Sequence, residues 1–310
     1  MRTSLTLVLI SLLGTGCAND ADSADPEFSD ALAWLYRNFE GTEHEIAFVM
    51  RSIEEQLYTT LEMSASDSVK RTQEPRFLEE ADLEGLTHPD RDLTLALPVA
   101  TARLSDWGPD LHSQVVLLTD QRPVEPYSPD VYDRAFSDGA DCWQDRGCVA
   151  LRSDNDITKK NLLMEVNYQM RKDFRWIDLA LPAPSEVPDG EQPVNDGEPR
   201  WAIVGRSWIE QSAAGDSGKS TIQQSYAVEF TVPRDSRGFR WEDSELTAPE
   251  HDAPDSDGAG SIRMQSLWSE TTFDGINVGE DMIKSTLRGG MDKIMRVTDE
   301  YIEDELVVEE

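Results

Sequence analysis

The chain has 310 residues, 38% of them hydrophobic, and its 61 acidic and 28 basic side chains give a net charge of -33 at pH 7. A chain of this length and apolar content can bury one substantial core without metals or cross-links. The charge argues against nucleic acid as a partner, because binding to a polyanion depends on the Lys and Arg side chains that are outnumbered here.

The first 16 residues have the pattern of a secretion signal. Arg2 provides a basic start, residues 5–13 form an apolar run, and the small residues 14–16 precede Cys17. The apolar run is too short to span a bilayer. We therefore predict export of the chain and removal of residues 1–16.

Residues 13–17 resemble the lipobox of bacterial lipoproteins, in which the cysteine becomes the lipidated first residue of the mature chain. The third residue before the cysteine is usually leucine in that family; here it is Gly14, and Leu13 lies one place further out. The resemblance implies a membrane anchor through a lipid on Cys17 and localisation in the cell envelope. Ala18, in place of an aspartate after the cysteine, favours the outer membrane. The alternative is an ordinary signal peptide cleaved near Cys17.

The remaining chain divides into a tether and one domain. Residues 17–27 are mostly Asp, Ala and Ser, which are too polar to pack, and they predict a lipidated acidic tether. A single domain is predicted over 28–310. Within it, the segments 182–200 and 247–260 are rich in Pro, Gly and acidic residues, and they predict surface loops.

Two helices are predicted at the start of the domain. Apolar residues recur at helical spacing over 31–39, and Gly41 interrupts the pattern. Residues 42–45 have the sequence of a capping box, which begins a second helix with an apolar stripe over 46–61. We expect this stripe to pack in the core rather than to bind a partner.

The pattern then changes to the two-residue period of β-strands. Short strands are predicted over 93–104 and 113–121. Over 162–176 the even-numbered positions are apolar except for Lys172, and the odd-numbered positions from 165 onward are polar. This alternation predicts a long antiparallel strand with one buried face.

Cysteine usage predicts a structural disulfide. With Cys17 lipidated, Cys142 and Cys148 remain as an even pair in an oxidising compartment. The loop between them is short, so the chain-entropy model gives a stabilisation of about 2 kcal/mol. A metal site would need more ligands nearby, and a C-x-x-C redox motif has a different spacing.

The segment 213–221, AAGDSGKST, contains the G-K-S that ends a phosphate-binding loop. Ala213 occupies the place of the motif's first glycine, and residues 222–232 alternate as a strand. A phosphate loop instead requires a helix, whose N-terminus holds the anion. We predict a hairpin turn over 215–218 between two strands and no nucleotide binding.

The last segment predicts a further strand over 262–273 and a long helix over 277–301. Gly289 and Gly290 interrupt the helical pattern, which predicts either a kink or the close approach of a strand. The acidic residues 303–310 are expected to fray.

The sequence contains no recognisable catalytic or metal-binding motif. His44 and Glu45 would begin an H-E-x-x-H motif, but Phe48 occupies the place of its second histidine. We predict no catalytic residue, no metal site and no cofactor. With so many acidic side chains, a hydrolase that uses a carboxylate pair stays open as an alternative.

The predicted fold is α+β, with N-terminal helices, a mostly antiparallel curved sheet and a long C-terminal helix. This order of elements resembles the START-like helix-grip folds, which enclose a cavity for an apolar ligand. Together with the lipobox-like signal, the curved sheet, the closing helix and the aromatic-rich strand faces predict a non-catalytic envelope lipoprotein that binds an apolar or lipidic small molecule. The candidate ligand-lining residues are apolar and aromatic side chains of the sheet: Leu162, Val166, Trp176, Tyr226 and Phe230. The alternative is a structural or interaction subunit of an envelope assembly that binds a basic protein partner.

Overall fold

The computed structural model has the α+β fold that the sequence predicts. It describes residues 27–60, 70–71, 73–160, 165–188, 190–195, 197–215, 220–234, 260–274 and 278–307. The predicted signal peptide, Cys17, Leu162 and all of 247–260 except Gly260 therefore lie outside the described residues. None of the helices in the described ranges is long and apolar enough to cross a membrane.

The helices are α1 (Phe28–Arg37), α2 (Glu43–Thr60), α3 (Pro109–Val116) and α4 (Glu280–Tyr301), which continues into a π-helical turn, Ile302–Leu306. The strands are β1 (Lys70–Arg71), β2 (Leu97–Ser105), β3 (Val131–Asp138), β4 (Leu151–Lys160), β5 (Glu165–Asp178), β6 (Trp201–Trp208), β7 (Ala213–Ala214), β8 (Ser220–Pro233) and β9 (Ser261–Phe273). Between β5 and β6, the predicted loop 182–200 includes a short 3-10 turn, Pro184–Glu186.

All strands belong to one antiparallel sheet in the order β1-β2-β9-β8-β6-β5-β4-β3, and β7 pairs separately with β8. A register shift between Ile222 and Gln224 interrupts the pairing of β8 with β9. A second shift lies between Phe136 and Asp138 in β3. Such irregularities bend strands locally and increase their twist.

Helices α1 and α2 cover one face of the sheet, which we call the α1/α2 face. It carries Val204, Val228 and Ile262 in the largest apolar cluster. The ring of Tyr36 on α1 lies 6.1 Å from that of Tyr226 and 5.8 Å from that of Trp268, in edge contacts. Core packing of the α2 stripe is confirmed, because its four main apolar residues are all 1% exposed or less. These are Ile46, Met50, Ile53 and Leu57.

Helices α3 and α4 lie on the opposite side, the α3/α4 face, which carries Ile203, Glu229 and Arg263. The predicted disulfide between Cys142 and Cys148 is present, with Cα atoms 5.5 Å apart. Its loop carries Trp143, which is 0% exposed. The Trp143 ring packs 5.4 Å from that of Trp176 and 6.4 Å from that of Phe174, and its Nε1 donates to the carbonyl of Ser113 at 3.3 Å.

The two halves of α4 are held differently. Its fully buried side chains, Met291, Met295 and Thr298, all lie after Gly290. In the first half, Lys284 and Arg288 both donate to Glu74, the former at 2.8 Å. The helix continues through Gly289 and Gly290, and a Cβ built on Gly290 would lie 3.6 Å from Tyr127. The close neighbour is therefore an aromatic side chain of a loop and not a strand.

Three local predictions are corrected by the structure. The segment 113–121 begins within helix α3 and is not a strand, since Pro109 occupies a first-turn position after the N-cap Gly108. In β5 the one-sided alternation ends at Lys172, and every residue from there to Asp178 is buried. The predicted fraying does not extend to Leu306 and Val307, which pack against Val115 and Ile302.

The hairpin prediction for the G-K-S segment rests on its two flanking strands, and both are present. Ala213 pairs with Ile222 in antiparallel register, and the Gly215 N–H donates to the Ser220 carbonyl at 2.8 Å. Residues 216–219 lie outside the described residues. A strand follows this segment where a phosphate loop requires a helix.

Candidate functional site

A partly open cavity of about 90 Å³ lies between the α3/α4 face of the sheet and the helices α3 and α4. One water molecule needs roughly 10–15 Å³, so the cavity has room for a small molecule but not for a long lipid chain. Its helix-side wall is largely apolar and includes Val115, Val116, Val124, Ile294 and Met295. The charged residues of its lining, which we call the charged floor, are Glu125, Arg134, Lys172, Glu229 and Arg263.

An ion pair lies at the centre of this charged floor. Lys172 of β5 donates to a carboxylate oxygen of Glu229 of β8 at 3.2 Å. The side chain of Lys172 is 10% exposed and that of Glu229 is 32% exposed. Burial alone would lower the pKa of Lys172, but Glu229, Tyr132 and Glu125 together outweigh it and the pKa lies above its ordinary value. Burial would likewise raise the pKa of Glu229, and Lys172 lowers it, so both groups are charged at neutral pH.

Gly205 of β6 makes room for this pair. In the sheet register it lies directly between Phe174 of β5 and Glu229 of β8. A Cβ built on Gly205 would lie 2.7 Å from Cδ1 of Phe174 and 3.1 Å from Cγ of Glu229. The missing side chain therefore lets the aromatic ring and the carboxylate side chain approach each other across β6.

Arg134 of β3 is held rigidly beside the pair. Its Nε donates to Oδ1 of Asn155 at 2.8 Å, and its Nη1 donates to the carbonyl of Val116 on α3. The guanidinium carbon lies 5.6 Å from the centre of the Phe174 ring. The remaining nitrogen, Nη2, has no hydrogen bond to any residue that the structure describes. Arg134 therefore keeps donor capacity on the cavity side.

One further polar group near the floor, the hydroxyl of Tyr132, lacks a hydrogen-bond partner among the described residues, although its side chain is only 1% exposed. Burial raises its pKa against the opposing effects of Lys172 and Arg134. Glu125 is partly exposed in the lining, and burial raises the pKa of its carboxyl more than Lys172 and Lys159 lower it. Buried polar groups are normally paired, so the Tyr132 hydroxyl is a candidate partner for a ligand or a water molecule.

A second polar network closes one end of the cavity. Ser105 of β2 donates to Asp299 of α4 at 2.9 Å, and its oxygen lies 3.1 Å from Nε2 of His112 on α3. Arg263 of β9 donates to the same carboxylate at 3.1 Å. Burial and then Arg263 hold the pKa of His112 well below its usual range, so the imidazole is neutral. Ser105 is 2% and His112 is 4% exposed, so a substrate has no access to the hydroxyl. The network fixes both helices to the sheet.

The candidate ligand-lining residues lie in different places. Phe230 is in the lining of the cavity, but its side chain belongs to the large apolar cluster on the α1/α2 face. Trp176 packs with Trp143 beside the disulfide loop, and Tyr226 lies on the α1/α2 face. Val166 belongs to a small cluster with Ile209 and Ile222, and Leu162 is outside the described residues. The structure therefore does not bring these residues together in one pocket.

The charged floor is not among the sequence predictions, although the sequence contains one signal for it. Lys172 is the single charged residue on the apolar face of 162–176, and it marks the site. Its partner Glu229 is 57 residues away in the chain and becomes its neighbour only through the strand order β5-β6-β8.

The sequence matches no protein-family model and no curated protein. Several solved structures are similar in part of the architecture. A crystal structure of TTHA0849 from Thermus thermophilus has 10% identity and a TM-score of 0.36, covering 67% of this chain and 97% of that chain. The crystal structure of Ara h 8.0201 has 8% identity and a TM-score of 0.32, covering 68% and 99%. The human StarD13 (DLC2) lipid transfer and protein localization domain has 6% identity and a TM-score of 0.33, covering 81% and 96%. At these TM-scores the similarity carries no weight for function.

Proposed function

We propose that this protein is a non-catalytic lipoprotein of the bacterial cell envelope that binds a small amphipathic molecule between its sheet and the helices α3 and α4. The observation that carries the proposal is the cavity itself, in which an apolar helix wall faces a floor of charged side chains. Ligand sites in proteins combine these same two elements, an apolar lining for affinity and a few fixed polar groups for orientation.

The charged floor is not explained by stability. Burying two charges costs more than their attraction returns unless the geometry is excellent, and replacing a buried pair with apolar residues of similar volume is often neutral or stabilising. Lys172 nevertheless lies at the centre of the sheet with only 10% of its side chain exposed. A functional requirement for a charged side chain at position 172 accounts for the free energy that its burial costs.

The size of the cavity limits the part of the ligand that fits. About 90 Å³ accommodates a polar head group and a short apolar segment. The wall provided by Ile294 and Met295 of α4 would contact the apolar segment, and the sheet would contact the head group. A long acyl chain would have to extend through the open side.

The envelope part of the proposal is supported by the N-terminal sequence and by the disulfide. Residues 1–17 have the order of basic start, apolar run, small residues and cysteine. A disulfide such as that between Cys142 and Cys148 is typical of exported proteins, since cytosolic thiols are kept reduced.

Native mass spectrometry of the full chain, purified from membranes in detergent, tests the binding function. We expect a small-molecule adduct that organic extraction removes. Val116→Phe places a larger side chain in the cavity wall and should abolish the adduct. Val131→Phe is the matched control, because Val131 has a similar partial exposure on β3 but does not line the cavity. A bare chain mass before extraction, or an adduct retained by Val116→Phe, would contradict the proposed site.

Substitution of Cys17 tests the anchor. In a bacterial host, Cys17→Ser should move the protein from the membrane fraction to the soluble fraction and abolish incorporation of labelled palmitate, because serine provides no thiol for lipidation. Thr15→Ser, two residues away, is the control and should leave both readouts unchanged. If Cys17→Ser stays in the membrane fraction, the anchor lies elsewhere.

A further inference from the structure

We infer that the head group of the bound molecule is an organic carboxylate, held by Lys172 and Arg134 against the ring of Phe174. This inference rests on the proposed function and adds the chemical class of the ligand.

The cavity lining is far less acidic than the molecule as a whole, which carries -33. The lining contains three cationic side chains, Arg134, Lys172 and Arg263, and two carboxylates, Glu125 and Glu229. Arg263 donates to Asp299, so its charge is balanced and the lining is close to neutral. An anion therefore meets much less repulsion here than at the acidic general surface.

The free donors lie around one aromatic ring. The ammonium of Lys172 is 5.8 Å and the guanidinium carbon of Arg134 is 5.6 Å from the centre of the Phe174 ring. An ammonium has three donors, and Lys172 uses one of them on Glu229. Arg134 has Nη2 uncommitted within the described residues. A carboxylate accepts several such charge-assisted hydrogen bonds, which are about twice as strong as those between neutral groups.

The two carboxylates of the lining do not make a comparable site for a cation. Glu229 is already neutralised by Lys172 at 3.2 Å. Lys172 and Lys159 both act on the carboxyl of Glu125, so a cation placed beside it would also meet their positive charge. The unpartnered hydroxyl of Tyr132 is a further donor, which suits an anion.

Three probes with four carbon atoms each distinguish an anionic, a neutral and a cationic head group. They are butanoate, butan-1-ol and butylamine. Each is titrated into the extracted full chain in detergent, and binding is followed by saturation-transfer NMR. We expect butanoate to bind at least tenfold more tightly than butan-1-ol, and butylamine to bind most weakly. Equal or tighter binding of butan-1-ol or butylamine would overturn the carboxylate inference and leave the proposed function standing. If none of the probes binds and native mass spectrometry finds no adduct, both fail.

Substitutions in the charged floor test whether its side chains cause the expected preference for butanoate. Lys172→Met should reduce butanoate affinity at least tenfold and leave butan-1-ol affinity nearly unchanged. Glu229→Gln releases Lys172 from its competing carboxylate and should increase butanoate affinity several-fold, so it tests the inference even if Lys172→Met folds poorly. Lys160→Met is the control, since Lys160 is exposed and pairs with Asp130 and Glu165 outside the cavity. An unchanged butanoate affinity in both floor variants would place the anion elsewhere.

Discussion

Trp143→Ala is expected to lower the free energy of unfolding by about 4 kcal/mol, within the range of roughly 3–5 kcal/mol for buried aromatic-to-alanine changes. Trp143 is fully buried and forms the centre of the cluster between the disulfide loop and the sheet. The change leaves a large void beside Phe174 and Trp176 and removes the hydrogen bond to the carbonyl of Ser113, which is itself buried. Denaturant unfolding with linear extrapolation measures the effect.

Two controls separate packing from hydrogen bonding in this cluster. Trp201→Ala removes a partly exposed indole at the rim, 6.5 Å from the Trp176 ring, and should cost about 1 kcal/mol. Trp143→Phe keeps most of the packing and loses the N–H, so about 1–2 kcal/mol is expected. If Trp143→Ala costs no more than Trp201→Ala, the disulfide loop does not contribute to the core.

Gly205→Val is expected to destabilise the protein by about 3 kcal/mol, although valine normally favours strands. Any Cβ at this position would lie within 3 Å of the Phe174 ring, which is buried and cannot move away without disturbing its neighbours. The substitution should also displace the Phe174 ring, around which Lys172 and Arg134 are arranged, and so weaken ligand binding. Thermal and denaturant unfolding measure the first effect, and the butanoate titration measures the second.

Gly289→Ala provides a control of opposite sign. Gly289 is in the middle of α4, and a Cβ built there meets nothing within 4 Å. Alanine has a higher helix propensity, so this variant should be more stable by up to about 1 kcal/mol. If Gly205→Val is as stable as the unchanged protein, the space beside Phe174 does not explain the glycine at 205.

Local patterns were sufficient to predict most of the elements. The helical spacing in α1 and α2, the alternation at the start of β5 and the flanking strands of the G-K-S segment each depend on neighbouring residues, and each is present. The error at α3 is also local. Its apolar run is compatible with a strand or a helix, and the deciding signal was the Gly108–Pro109 start.

The site was not predictable in the same way. Its floor joins residues of β3, β5, β8 and β9, and their proximity depends on a strand order that no local pattern contains. The burial of both faces of β5 after Lys172 also depends on elements that are distant in the chain. Arg175 points toward the α1–α2 connection, where it donates to the carbonyls of Phe39 and Gly41, so a polar residue is buried by elements far away in the chain.

The two halves of α4 are attached to the rest of the protein by different interactions, so we expect them to differ in mobility. After Gly290 it is held by buried side chains, and this half lines the cavity. Before Gly289 it is held chiefly by the ion pairs of Lys284 and Arg288 with the partly exposed Glu74. Salt screens such pairs and leaves apolar burial intact. Fluctuations of the helix are therefore expected to begin at its N-terminus, and the ionic strength of the solution changes their amplitude without loosening the cavity wall that the second half provides.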